Sequence, residues 1–187
     1  MRIVITGTPG TGKTRVAEEL AGILGVRFIS IRRLVEKEKI FEVKGMERVV
    51  DVNKLEKVLK KTLRNKRNYV IEGHLACETR LPCDYIFVLR THPRELRKRL
   101  LSRGYSAKKI RENLMSEMLD YCVQRVVEVY GKKPVGVDTT GKTVGATGRR
   151  IAGMIRNKKK KGDRVDYSKE LVEYLGLKKH ARRKKTD

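Results

Sequence analysis

GTPGTGKT, running from Gly7 to Thr14, decides the fold. It directly follows a β-branched run, Ile3-Val4-Ile5-Thr6, and directly precedes an apolar-periodic segment, Val16 to Leu24. Strand, glycine loop and helix are the setting in which G-x-x-x-x-G-K-[ST] reads as a phosphate site. Gly7, Gly10 and Gly12 allow the backbone to curl with its N–H groups inward, with no Cβ to hold off phosphate oxygens. The helix that starts near Lys13 adds unpaired N–H groups and the positive end of its dipole. Lys13 is expected on the β- and γ-phosphates of a triphosphate, and Thr14 is expected to offer its hydroxyl to Mg²⁺.

Outward from this loop, the first helix spans Lys13 to Leu24, with Gly25 as its stop. Val26 to Ser30 reads as a strand, Ile31 to Ile40 as a helix, and Phe41 to Val50 as an irregular stretch around Gly45. Asp51 or Asn53 caps a helix with Leu55, Val58, Leu59 and Leu63 on one face. Asn68 to Glu72 is a third strand, and Asp84 to Arg90 is an apolar strand of the kind buried in parallel sheets. Pro93 opens a helix that Gly104 ends. Ala107 to about Tyr130 reads as one long amphipathic helix, Pro134 to Thr139 as the last strand, and Val144 to Ile155 as the last helix. The alternation predicts an α/β, doubly wound parallel sheet. Ligands bind such sheets outside the strand carboxyl ends, where Thr6-Gly7, Glu72-Gly73-His74, Arg90-Thr91 and Thr139-Thr140 all fall.

A triphosphate loop alone does not separate kinases from ATPases, and three segments carry the reading further. Glu72, at a strand end, is placed to hold Mg²⁺ through its waters. His74 is placed to orient a water or acceptor near the γ-phosphate. Residues 30–53 hold Arg32, Arg33, Lys37 and Lys44, cations suited to an anionic acceptor such as a nucleoside monophosphate. Ser102 to Asn113, SRGYSAKKIREN, reads as a closing lid hinged at Gly104, with Arg103 supplying charge to the transferring group.

The 187-residue chain carries 46 Lys or Arg against 22 Asp or Glu, a formal net charge of +24. Such a field draws polyanions, RNA first among them. A thermophile surface is the alternative, but its ion-pair networks need both signs in quantity. From Arg156 the composition turns strongly basic, with clusters at Asn157 to Lys161 and Lys178 to Lys185 around a short helix at Lys169 to Leu177. We read 1–156 as the core and 157–187 as a basic tail. Cys77, Cys83 and Cys122 match no zinc or redox spacing, and their odd number suits a reducing cytoplasm. No stretch is apolar enough for a membrane span.

GTPGTGKT, then VIEGH, FVLRT and RLLSRGYSAKKIRENLMSE, in this order over about residues 2 to 155, resembles the adenylate kinase 6 family of nucleoside monophosphate kinases. The resemblance implies a P-loop NTPase with an adenylate-kinase-like five-stranded sheet of order 2-3-1-4-5, and a short lid at about 102–112. It implies reversible phosphate transfer from ATP to AMP, ATP hydrolysis, and a late role in small ribosomal subunit maturation. The partners it implies are a small-subunit platform protein, bound transiently, and rRNA. ATP contacts are implied on Gly10, Gly12, Lys13, Thr14, Arg15 and Arg103. The family motif usually begins with Asp where this chain has Glu72. Better-known relatives carry Gly-Asp and a nearby Arg after the second strand, where this chain has Arg32-Arg33.

Overall fold

The computed structural model describes residues 1–44 and 47–177, apart from the side chains of 44 and 47. In chain order the strands are β1 (Arg2–Thr6), β2 (Arg27–Ser30), β3 (Phe41–Lys44), β4 (Glu47–Val50), β5 (Tyr69–Glu72), β6 (Tyr85–Arg90) and β7 (Val135–Asp138). The helices are α1 (Lys13–Leu24), α2 (Ile31–Lys37), α3 (Val52–Leu63), α4 (Pro93–Leu101), α5 (Ala107–Met118), α6 (Tyr121–Tyr130), α7 (Val144–Arg156) and α8 (Ser168–Tyr174), with a 3₁₀ turn at His74–Cys77.

Five strands form one parallel sheet in the order β2-β5-β1-β6-β7. Counted among themselves these strands run 2-3-1-4-5, as expected. β1 lies at the centre, and its alternation assigns the two faces. Ile3 and Ile5 pack with Val16, Ala17 and Leu20 of α1 and with Ile151 and Ile155 of α7. Val4 packs on the other face with Leu55, Leu59 and Leu63 of α3 and with Val126 and Tyr130 of α6. After β5 the chain crosses from one side of β1 to the other, so the crevice at β1's carboxyl end is the topological switch point. GTPGTGKT occupies that crevice.

Three stretches differ from the sequence expectation. Phe41 to Val50 is not irregular: β3 and β4 pair antiparallel, Phe41 opposite Val50 and Val43 opposite Arg48. Val43 and Val49 are both exposed, so this alternation lacks the buried side chains that mark a strand. Gly45, read as the centre of the stretch, lies outside the described residues.

The single helix expected from Ala107 to Tyr130 is two. Asp120 takes a left-handed backbone (φ 56°) between α5 and α6. The Arg90 guanidinium ion-pairs with both Glu117 (2.8 Å) and Asp120 (2.5 Å). A tertiary charge thus coincides with the break, and helical periodicity cannot signal it.

The third difference concerns the segment from 157. Asp163 donates its N–H to the Gly136 carbonyl (2.9 Å), accepts from the Asp138 N–H (2.8 Å) and pairs with Arg150. Tyr167 is buried among Leu96, Leu100, Ile110, Leu114 and Met118. Residues 157–177 therefore strap β7 to α4 and α5, and the packed body extends past 156. The basic cluster Lys178 to Lys185 lies outside the described residues.

Candidate active site

The loop is built by glycines in conformations other residues avoid. Gly7, Gly10 and Gly12 have φ of 139°, 98° and 93°. A Cβ on Gly7 would collide with the Leu89 carbonyl, and one on Gly10 would stand 2.7 Å from Leu96 Cδ1. At Gly12 there is open space, so only the backbone angle demands glycine there. Gly12 is also the N-cap of α1, and no side chain caps this helix. By contrast Ser30, Asp51, Ser106 and Thr143 cap α2, α3, α5 and α7. The amides of α1's first turn thus remain open to an anion.

Lys13 is buried, and its Nζ donates to the Thr8 carbonyl (2.9 Å). Burial pushes its ammonium pKa down, while Glu72 and Glu117 are among the groups that pull it back up. Thr14 and Arg15 are exposed at the start of α1. Glu72 is 3% exposed at the end of β5, level with Ile5 of β1, and accepts the Ser30 hydroxyl (2.7 Å). His74 follows at the rim. Its side chain is exposed to solvent, yet the protein body beneath it, and then the Lys13 charge, push its pKa down to about 4. It therefore stands neutral at pH 7. Its carbonyl accepts from the Cys77 thiol, and Cys77 lies 3.9 Å from Cys122 behind the site.

A cavity of about 570 Å³ continues from the loop. Gly10, Gly12, Arg15, Arg99, Arg103 and Lys142 are among the residues that line it. Arg103 lies on the turn between α4 and α5, exposed, and its guanidinium has no hydrogen-bond or ion-pair partner among the described residues. Gly104 beside it has φ 71° and open space around it. Nucleotide-sized pockets fall in this volume range. Four cations and no carboxylate among the lining side chains suit a polyphosphate.

The acceptor region is less open than the sequence implied. Arg32 pairs with Glu36, and Arg33 pairs with Glu18 while lying 5.6 Å from the Phe28 ring. Lys37 is exposed, and the side chain of Lys44 lies outside the described residues. Arg48 stacks over Phe41 at 4.7 Å.

Sequence reasoning missed Glu117, which is 1% exposed. One carboxylate oxygen accepts from Arg90 Nε (2.8 Å) and the Thr91 N–H (3.0 Å); the other accepts the Thr8 hydroxyl. Burial opposes the Arg90 charge, but Glu117 and Asp120 outweigh it and raise its pKa. Glu117 thus ties α5, the helix that follows the Arg103–Gly104 turn, to the glycine loop. The available signal was a charge on the apolar stripe Ile110, Leu114, Met118. Arg99 was also missed; it bonds Thr91 Oγ1 and the Thr139 carbonyl at the cavity wall.

A family model described as "AAA domain" matches residues 3–120. A Pyrococcus furiosus protein named "Putative adenylate kinase" is 39% identical over 95% of this chain and 98% of its own length. A Methanocaldococcus jannaschii protein of the same name is 37% identical over equal shares. Among solved structures, a deoxyadenosine kinase from M. mycoides aligns with a TM-score of 0.55 at 17% identity, covering 83% of this chain and all of that one. A shikimate kinase from Aquifex aeolicus aligns at 0.53 and 19%, covering 84% and 98%. At such identities these two speak for the fold alone. The sequence relatives go further: this chain belongs to the AAA-domain family and, within it, to the proteins named putative adenylate kinase.

Proposed function

We propose that this chain is an Mg²⁺-dependent nucleoside monophosphate kinase that moves the terminal phosphate of ATP to AMP or a related monophosphate. ATP hydrolysis occurs when water replaces the acceptor. The observation that carries this reading is the uncapped glycine loop with buried Lys13, set beside Glu72 and His74 at one sheet edge. The name shared by relatives with up to 39% identity supports it.

Gly10, Gly12, Lys13, Thr14 and Arg15 hold the ATP phosphates, and the lid brings Arg103 over them. Transfer forms a bond from an acceptor phosphate oxygen to the γ-phosphorus and breaks the bond to the β–γ bridging oxygen. Positioning and charge neutralisation are what this reaction needs from a protein. Lys13 and Arg103 neutralise the oxygens. Neutral His74 orients the acceptor or a water by hydrogen bonding and takes no charge.

The donor set suits Mg²⁺. Among the described residues no three metal-binding His, Cys, Asp or Glu side chains converge. Mg²⁺ prefers one or two oxygen ligands plus waters and phosphates to an all-protein cage, and Thr14 and Glu72 supply that pair. When bound, the ion neutralises charge on the β- and γ-phosphates.

The proposed setting is the assembling small ribosomal subunit in the cytoplasm, with a platform protein as transient partner and rRNA along the basic surface. The net charge of +24 supports the rRNA contact. No described helix is long and apolar enough to cross a membrane.

A second reading is an ATP switch whose transfer activity is vestigial. The pairing of Arg32 and Arg33 with Glu36 and Glu18 favours it, because both cations are engaged away from an acceptor. Counting ADP formed per ATP lost, with and without AMP, separates the two. Two ADP per ATP, dependent on AMP, supports the kinase. One ADP with phosphate release, indifferent to AMP, supports the switch.

A further inference from the structure

At the opposite end of the sheet from the phosphate loop lies a second cavity of about 510 Å³. Pro82 is its exposed apolar wall, with Leu63, Tyr69 and Leu81 almost fully buried beneath, and Arg2, Lys60, Arg64, Lys66 and Arg67 stand around it. Asp84 is the one carboxylate in its wall, and it is engaged by Arg2.

Helix α3 leads into this cavity. Its apolar face, Leu55, Leu59 and Leu63, is spent on the core. Its outer positions carry Lys54, Lys57, Lys60, Lys61 and, one residue beyond the helix, Arg64. Lys54 pairs with Asp51 and Lys60 with Glu56. Lys57, Lys61, Arg64, Lys66 and Arg67 have no carboxylate partner among the described residues. Lys57 and Lys61 stand four apart, as do Lys60 and Arg64. Such like-charge spacing works against the helix, most plainly for Lys57 and Lys61, since Lys60 is eased by Glu56. The helix dipole favours cations in the last turn, but it does not account for Lys57, nor for Lys66 and Arg67 in the following loop. A bound polyanion would turn this repulsion into attraction.

We infer that this cavity and the α3 stripe bind a single-stranded RNA segment, with one base in the cavity against Pro82 and the flanking phosphates on Arg64, Arg67 and Lys61. A membrane surface does not fit, since a helix lying on lipid must expose its apolar face and α3 has buried it. An acidic protein segment would also find cations, but RNA carries a charge at every nucleotide, which suits a stripe of five unpaired cations better. The inference rests on the polyanion part of the reading above and not on the phosphotransfer part.

The test uses the full chain and a fluorescein-labelled 12-nucleotide single-stranded RNA, followed by anisotropy from 50 to 200 mM KCl. Three proteins are compared: wild type, Arg64→Ala/Arg67→Ala, and Lys158→Ala/Lys160→Ala as a charge-matched control on an exposed segment. The first double variant should bind about tenfold more weakly than wild type at low salt. Its salt slope should be shallower by roughly 1.4, two lost phosphate contacts at about 0.7 each. The control should keep most of the affinity, and phosphotransfer should be unchanged in both variants. Absence of RNA binding by wild type overturns the inference. So does equal loss in the two double variants, which would mean diffuse charge, or displacement of the RNA by UMP at the RNA's own concentration, which would mean a mononucleotide site. Loss of phosphotransfer in the wild type with RNA binding intact would remove the kinase reading and leave this one standing.

Discussion

Lys13 concentrates the physical tension of the molecule. A buried ammonium costs free energy to keep, and its lowered pKa records that cost. Lys13→Ala should cut phosphotransfer by about 10²–10³, the usual effect of losing one preorganised electrostatic contact. Circular dichroism and melting should show the fold intact. His74 offers a second residue-level test. Its folded pKa of about 4 lies below the ordinary 6.5, so the unfolded chain binds a proton first as pH falls. The stability this neutral imidazole contributes is present above pH 6.5 and is lost as pH falls from there toward 4. Histidine NMR titration of the nucleotide-free protein should find the His74 ring near 4; a midpoint near 6.5 would contradict the effect of the protein body beneath it and the Lys13 repulsion. Glu117→Ala should destabilise the fold by about 3 kcal/mol or more, since it strips a buried guanidinium of its main partner. A denaturant midpoint equal to wild type would refute that. The positions of Lys13, Glu72, His74 and Arg103 near the loop were legible, Lys13 from motif spacing, Glu72 and His74 from a strand end, and Arg103 from the basic segment after α4. Glu117 and Arg99 were not, because their roles arise from what lies across the fold.

At the scale of elements, the core strands and α1 were readable in the sequence, where β-branched and apolar runs are buried on both sides. The elements that eluded the pattern are those set by tertiary contact. The break between α5 and α6 coincides with Arg90, a residue on β6. The β3–β4 hairpin exposes its valines and so lacks the burial contrast that period-two alternation usually reports. The strap from 157 to 177 reads as a basic tail, because basic clusters flank it on both sides and nothing local shows that Asp163 and Tyr167 have partners across the fold. Once packed, Tyr167 closes the cluster between α4 and α5 and lies 5.2 Å from the Arg90 guanidinium. Tyr167→Ala should therefore cost about 3 kcal/mol, in the range of large-to-small aromatic changes in cores. Removing 157–187 should lower the melting temperature as well as the net charge. A truncated chain that melts like wild type would show the strap to be a passive appendage.

For the molecule as a whole, one sheet separates two cation-lined cavities. The carboxyl ends of the strands present the glycine loop, Glu72 and His74, and the cavity lined by Arg15, Arg99, Arg103 and Lys142. The amino ends present the cavity fed by α3. At the first end, we propose, the terminal phosphate of ATP passes directly to a nucleoside monophosphate held beside the loop. ATP labelled with ³²P at the γ position, incubated with unlabelled AMP, Mg²⁺ and the protein, tests this most directly. Label recovered in ADP, at a rate about 10²–10³ lower with Lys13→Ala, is the predicted result. Label recovered only as inorganic phosphate, at a rate indifferent to AMP, would contradict it.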